Sequence, residues 1–141
     1  MTKRKLEQIY FMKIELNKWK KRRANLHLPV NTSARKPDGM PYSKTNAISR
    51  PVEDAAVKIS SDLARIDKQI TKHIKKLNKA IAEVETYIMT LDDSEIRIIL
   101  ECRCVELMSW KQVADTLGSG YTEEAVRQQY HRFISTLPPH K

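Results

Sequence analysis

The sequence predicts an all-α protein: an N-terminal helix plus a long coiled-coil-like helix, followed by a C-terminal module of three short helices. Three observations predict it. Glycine occurs only three times in 141 residues, and strong helix formers dominate the rest. Apolar residues recur at steps of three, four and seven, which is a helical period. From Leu91 to Leu137 three helix-start signatures follow one another. Charged residues make up 30% of the chain and aromatic residues 6%, so any core is aliphatic and modest.

Residues 1–90 read as a helical arm. Its first helix covers about 3–26, with Leu6, Ile9, Met12, Leu16, Trp19 and Leu26 on one stripe. The other faces are basic. Lys18, Lys20, Lys21, Arg22 and Arg23 set five cations in six positions. Two readings stand: a solvated face whose lysine stems lie over the stripe, or contacts to phosphate. Residues 27–50 break the period with Pro29, Pro37, Asp38-Gly39 and Pro41. This linker is long enough to return the chain parallel or antiparallel to the first helix.

Pro51 then suits the first turn of a long helix over about 51–90, roughly 60 Å if unbroken. Ala56, Leu63, Ile70, Leu77, Val84 and Leu91 recur every seven residues. Val52, Ile59 and Ile66 fill the companion position, where His73 comes next. From there the apolar partner moves one place on, to Ile74, Ile81 and Ile88. The seam is expected to rotate midway, as a straight helix drifts off a heptad. Such a stripe packs on the first helix, or on a second copy to make a homodimer. His73 is expected as a partly exposed packing residue.

Residues 91–141 read as the second domain. In its first helix, about Asp92 to Leu107, Asp92 caps, Glu95 takes the third position and Leu91 staples onto Ile96. That helix is apolar nearly all round, as a helix inside a small bundle is. In the second, Ser109 caps, Gln112 completes a capping box, and Gly118 supplies a left-handed exit. In the third, Thr122 caps ahead of Glu123 and Glu124. Val126, Tyr130, Phe133 and Leu137 form its inner face, and Pro138-Pro139 end it. Glu123, Glu124, Arg127, Gln128 and His131 face outward.

Two short helices joined by a glycine-bearing turn are the pattern of a helix-turn-helix, whose second helix enters the major groove of DNA. The outward set suits that task. Arginine can bond guanine, glutamine adenine, and a glutamate can accept from cytosine. The plain alternative is a polar solvent face.

Charge qualifies this reading. The net charge is +9, but residues 1–26 hold nine basic and two acidic side chains, whereas residues 91–141 hold six and eight. The cations lie upstream of the expected reading helix, and a free-standing DNA reader usually carries its own. Cys102 and Cys104 sit about 200° apart on a helix, so a buried reduced pair is expected and neither a disulfide nor a metal site. There is no Gly-rich phosphate loop, no metal-ligand spacing and no nucleophile–base pair, so neither an enzyme nor a cofactor is expected. No apolar run has the length of a membrane span, and the basic N-terminus has no apolar h-region. A cytoplasmic protein with no membrane contact is the expectation.

The run Leu91-Asp92…Glu95…Arg97…Ile99-Leu100…Arg103…Leu107…Ser109-Trp110…Val113-Ala114…Leu117-Gly118…Val126 resembles the promoter-reading region 4 of sigma-70-type factors. The whole chain more closely resembles small phage transcriptional regulators of the RinA/ArpU type, which join such a module to a helical N-terminal half. Gly39-Met40-Pro41 and Pro51-Val52-Glu53-Asp54 fit that layout. The resemblance implies double-stranded DNA as a partner, host RNA polymerase as another, and a bacterial host cytoplasm as the location. It puts Glu124, Arg127 and Gln128 at the family's DNA-contacting positions. The chain departs from the pattern at Cys104, where tyrosine is common, and at Ser119-Gly120-Tyr121, which lengthens the turn. Regulation of phage late-gene transcription is the leading expectation. A protein-interaction module docking on polymerase and a small terminase-like DNA-packaging adaptor are the alternatives.

Overall fold

Helix α1 spans Lys3–Ala24 and α2 spans Ser49–Met89; three short helices follow, α3 Ser94–Leu100, α4 Trp110–Leu117 and α5 Glu123–Thr136. The computed structural model describes residues 1–26 and 49–139, excepting the side chains of 49–52. Among these residues there is no strand, and the fold is all-α. The linker expected at 27–50 lies outside the described residues except for its last two, which already belong to α2. Pro51 is therefore the third helical residue rather than the first, still within the turn whose N–H groups have no helical partner. No described helix is long and apolar enough to cross a membrane.

By their contacts the residues form two units. The first joins residues 1–16 to residues 73–141, and the second comprises residues 17–72. The division at residue 91 read from the sequence is not the one the contacts make. The reason is packing: Leu6 and Ile9 of α1 are completely buried, at 1% and 0% exposure, as part of the first unit.

In that unit α1 and α2 run antiparallel. Lys5 Nζ lies 3.6 Å from Glu83 Oε2, and further along both helices His73 Nδ1 lies 3.5 Å from Glu15 Oε2. His73 is a partly exposed packing residue, as expected, with its side chain 14% exposed. Ile74, expected to take over the seam, is 38% exposed. The three-four rhythm runs on through His73 to Leu77, and the rotation comes only afterwards, with Val84 and Ile88 buried.

Turn bonds from Thr90 N–H to the Tyr87 carbonyl and from Leu91 N–H to the Ile88 carbonyl close α2. Helix α3 starts one residue later than the sequence suggested. Asp93, not Asp92, is the cap, accepting from Glu95 N–H at 2.9 Å and Ile96 N–H at 3.3 Å. Glu95 then stands second in the helix, and the expected box does not form.

The expected helix to Leu107 is also not uniform. After Leu100 it widens into a π-helical segment, Glu101–Val105, closed by Glu106 N–H to the Glu101 carbonyl at 3.0 Å. Leu107 then turns the chain with a φ of 60°, a region unfavourable for a side-chain-bearing residue. Two cations satisfy carbonyls here. Lys13 Nζ donates to the Val105 carbonyl at 2.6 Å, and Arg103 Nη1 to the Met108 carbonyl at 2.7 Å.

The other two start signals hold. Ser109 Oγ accepts from Gln112 N–H at 3.3 Å while Gln112 Oε1 accepts from Ser109 N–H at 2.9 Å. Thr122 Oγ1 accepts from Ala125 N–H at 3.2 Å. Gly118 does take positive φ, at 102°, but its ψ of −174° is extended rather than left-handed helical. That conformation is essentially reserved for glycine. It sends the chain straight into the lengthened turn before α5. Leu137 is extended ahead of Pro138, as a residue before proline prefers, and α5 stops.

Helix α3 packs on α4 and α5, and α4 packs on α5. Ile99, Leu100, Val113 and Val126 are fully buried at their meeting. The inner face of α5 is Val126, Tyr130 and Ile134, with Phe133 and Leu137 only half-buried. The step of four from Tyr130 to Ile134 displaces the expected Phe133. Ile98, counted among the apolar residues of α3, is 40% exposed.

Candidate functional site

Packing fixes which side of α5 is free. With Val126, Tyr130 and Ile134 turned inward, the helical period turns Glu124, Arg127, Gln128 and His131 outward, and all four are exposed. They line one open depression, which Arg132 and Ser135 extend by another turn. Glu123 is exposed in the first turn. The structure therefore brings together four of the five residues singled out from sequence. Arg132 and Ser135 were legible, since they continue the same stripe at steps of three and four.

The electrostatics of this face are mixed. Glu123 and Glu124 suit the positive end of α5 but repel phosphate. Glu124 Oε2 lies 2.8 Å from Arg127 Nη2, and its Oε1 accepts from Gln128 Nε2 at 3.3 Å.

The cations expected to touch phosphate belong to the second unit. Lys18, Lys20, Lys21, Arg22 and Arg23 are all exposed. They are not equivalent. Arg23 Nε pairs with Asp67 Oδ1 at 2.5 Å, and the Arg22 guanidinium lies over the Trp19 ring at 4.8 Å. Lys18, Lys20 and Lys21 are the better candidates for phosphate.

A second surface was missed from sequence. In the first unit a groove of about 450 Å³ runs along Tyr10, Phe11, Arg103, Leu107, Trp110 and His131. Tyr10 and Phe11 are 50% and 64% exposed and meet edge-to-face at 5.4 Å. The Arg103 guanidinium sits 4.3 Å over the Trp110 ring, which also meets Tyr130 edge-to-face at 5.1 Å and the His131 ring, tilted, at 6.3 Å. The signal was faint. Tyr10 and Phe11 lie off the α1 stripe, and nothing in the spacing brings them near Trp110.

Both cysteines are free and buried. The Cys104 thiol lies 3.9 Å from the Tyr130 hydroxyl. Burial pushes the Cys104 pKa up to about 11, against a smaller opposing influence of the Tyr130 hydrogen bond. Burial likewise raises Tyr130, with Cys104 adding to it. This is a neutral, inert pair that holds α5 on the π-helical segment.

No protein-family model, curated protein or solved structure matches the chain.

Proposed function

We propose that the protein is a sequence-specific DNA-binding regulator of phage or prophage late-gene transcription, acting in the cytoplasm of a bacterial host and without enzymatic activity. One observation supports this above the others. Arg127, Gln128 and His131 stand together on the free face of a helix whose opposite face is locked in the α3–α4–α5 bundle. A rigid helix offering donors from its N-terminal half is what base reading in the major groove requires. Thr122, the cap, and the glycine turn before it set the entry angle.

Arg127→Ala combined with Gln128→Ala should abolish sequence preference while leaving weak general DNA binding. Enrichment from a randomised duplex library measures this, and a double variant that selects the same sequence as the parent would sink the assignment. Lys18, Lys20 and Lys21 supply affinity rather than specificity. Their joint reversal to Glu should weaken all duplexes alike and flatten the log–log salt slope by about two to three. An unchanged slope removes them from the interface. Pairing of two copies through α2 would double both contributions, and Val57 on that helix is 69% exposed.

A second reading is a module that docks on RNA polymerase or another protein. The acidic excess of residues 91–141 and the exposed Tyr10 and Phe11 beside the Trp110 groove favour it. Capture of polymerase with no footprint on any duplex would replace the first reading with this one. Nothing specific favours the packaging adaptor.

A further inference from the structure

Glu124 stands between the two side chains best suited to read bases. Its Oε2 engages Arg127 Nη2 at 2.8 Å and its Oε1 accepts from Gln128 Nε2 at 3.3 Å. One carboxylate thus holds both donors, with both of its oxygens engaged. We propose that Glu124 is a positioning residue that sets specificity through Arg127 and Gln128 rather than by reading a base itself. The inference rests on the reading of α5 as the DNA-contacting helix.

The donor inventory makes the arrangement productive. Arginine has five N–H donors in a planar fork, so engaging Nη2 leaves others for a guanine edge. An amide nitrogen has two hydrogens. Gln128 gives one to Glu124 and keeps a donor and its Oε1 acceptor, the pair that an adenine edge requires. Fixing Nε2 on the carboxylate also fixes which way the amide faces.

Stability does not account for the contact. Arg127 and Glu124 side chains are 48% and 58% exposed, and pairs so exposed contribute little to folding. An unheld arginine has many rotamers and reaches any nearby phosphate. A carboxylate beside it holds it in place and repels phosphate from it, which disfavours wrong sites more than right ones.

The test compares Glu124→Ala and Glu124→Gln with the parent protein. Each is selected on a randomised duplex library. The best duplex and a shuffled version are then titrated over a salt series, with circular dichroism confirming the helix content of each variant. Glu124→Ala should bind both duplexes more tightly, because a repelling charge is gone. It should nevertheless lose about tenfold or more in the ratio between them, the worth of one well-made base contact. Its salt slope should steepen by about one as Arg127 becomes a phosphate contact. Glu124→Gln removes the same charge but keeps an acceptor oxygen, and should retain most of the ratio.

Equal gains in affinity with the ratio intact in both variants would reduce Glu124 to a simple charge and overturn the inference. Loss of preference in both variants at a single cytosine of the selected sequence would make it a base reader, which also overturns it. A parent protein that selects no sequence overturns the reading of α5 itself.

Discussion

Ile99→Ala should destabilise the protein by about 2–5 kcal/mol, whereas Ile98→Ala, one residue earlier, should cost well under half of that. The two substitutions remove the same atoms from the same helix. Ile99 is 0% exposed, and the helix that carries it packs on both α4 and α5. Its loss leaves a void where α3 meets those two helices. Removing three buried carbon atoms loses their transfer energy and their contacts together. Ile98 is 40% exposed, so truncation there mostly trims surface already in water. Denaturant titration followed by circular dichroism measures the difference. Comparable losses at both positions would mean that α3 does not present the face described.

The second large effect is a loss of stability at alkaline pH. The Cys104 thiol is raised from 9.0 to about 11 in the folded protein, chiefly by burial. An unfolded chain ionises this thiol near 9, while the folded chain resists. Unfolding therefore releases a proton between those values, and rising pH favours it. The contribution is fully present below about pH 9 and disappears as pH rises through about 11. Across that window the loss amounts to roughly 3 kcal/mol. Burial raises the Tyr130 hydroxyl as well, so it also resists ionisation in the folded state. Midpoints of denaturant unfolding should stay level through neutral pH and then fall. Cys104→Ala should shallow that fall, and an identical alkaline limb in the variant would contradict the buried-thiol account. Alkylation of native protein at pH 8 should likewise spare Cys104, which is 3% exposed.

The elements legible in the sequence were those whose cause is local. Ser109 and Thr122 cap their helices because a side-chain oxygen two or three residues from a free N–H needs nothing distant to find it. The outward face of α5 follows from the spacing of Val126 and Tyr130 alone. What escaped was decided by partners remote in the chain. His73 kept its place in the seam because Glu15 lies across from it on α1. The π-helical segment left no trace in the periodicity, since one widened turn shifts the pattern by less than the pattern's own scatter. Arg103 over Trp110 is likewise a matter of side-chain reach rather than of spacing, whereas the engagement of both Glu124 oxygens follows the i,i+3 and i,i+4 steps of one helix.

Lys13 and the carbonyl of Val105, which it holds, are 92 positions apart in the chain. A ribosome emits α1 well before the Val105 carbonyl. At about 5–20 residues per second, the emerging helix waits roughly 5–20 s before that carbonyl exists. For part of that interval an amphipathic, strongly cationic segment is in the open. Closing so long a loop also places the docking of α1 late, since contacts of high sequence separation are slow to form. The C-terminal helices, whose contacts are short-range, are then the natural nucleus.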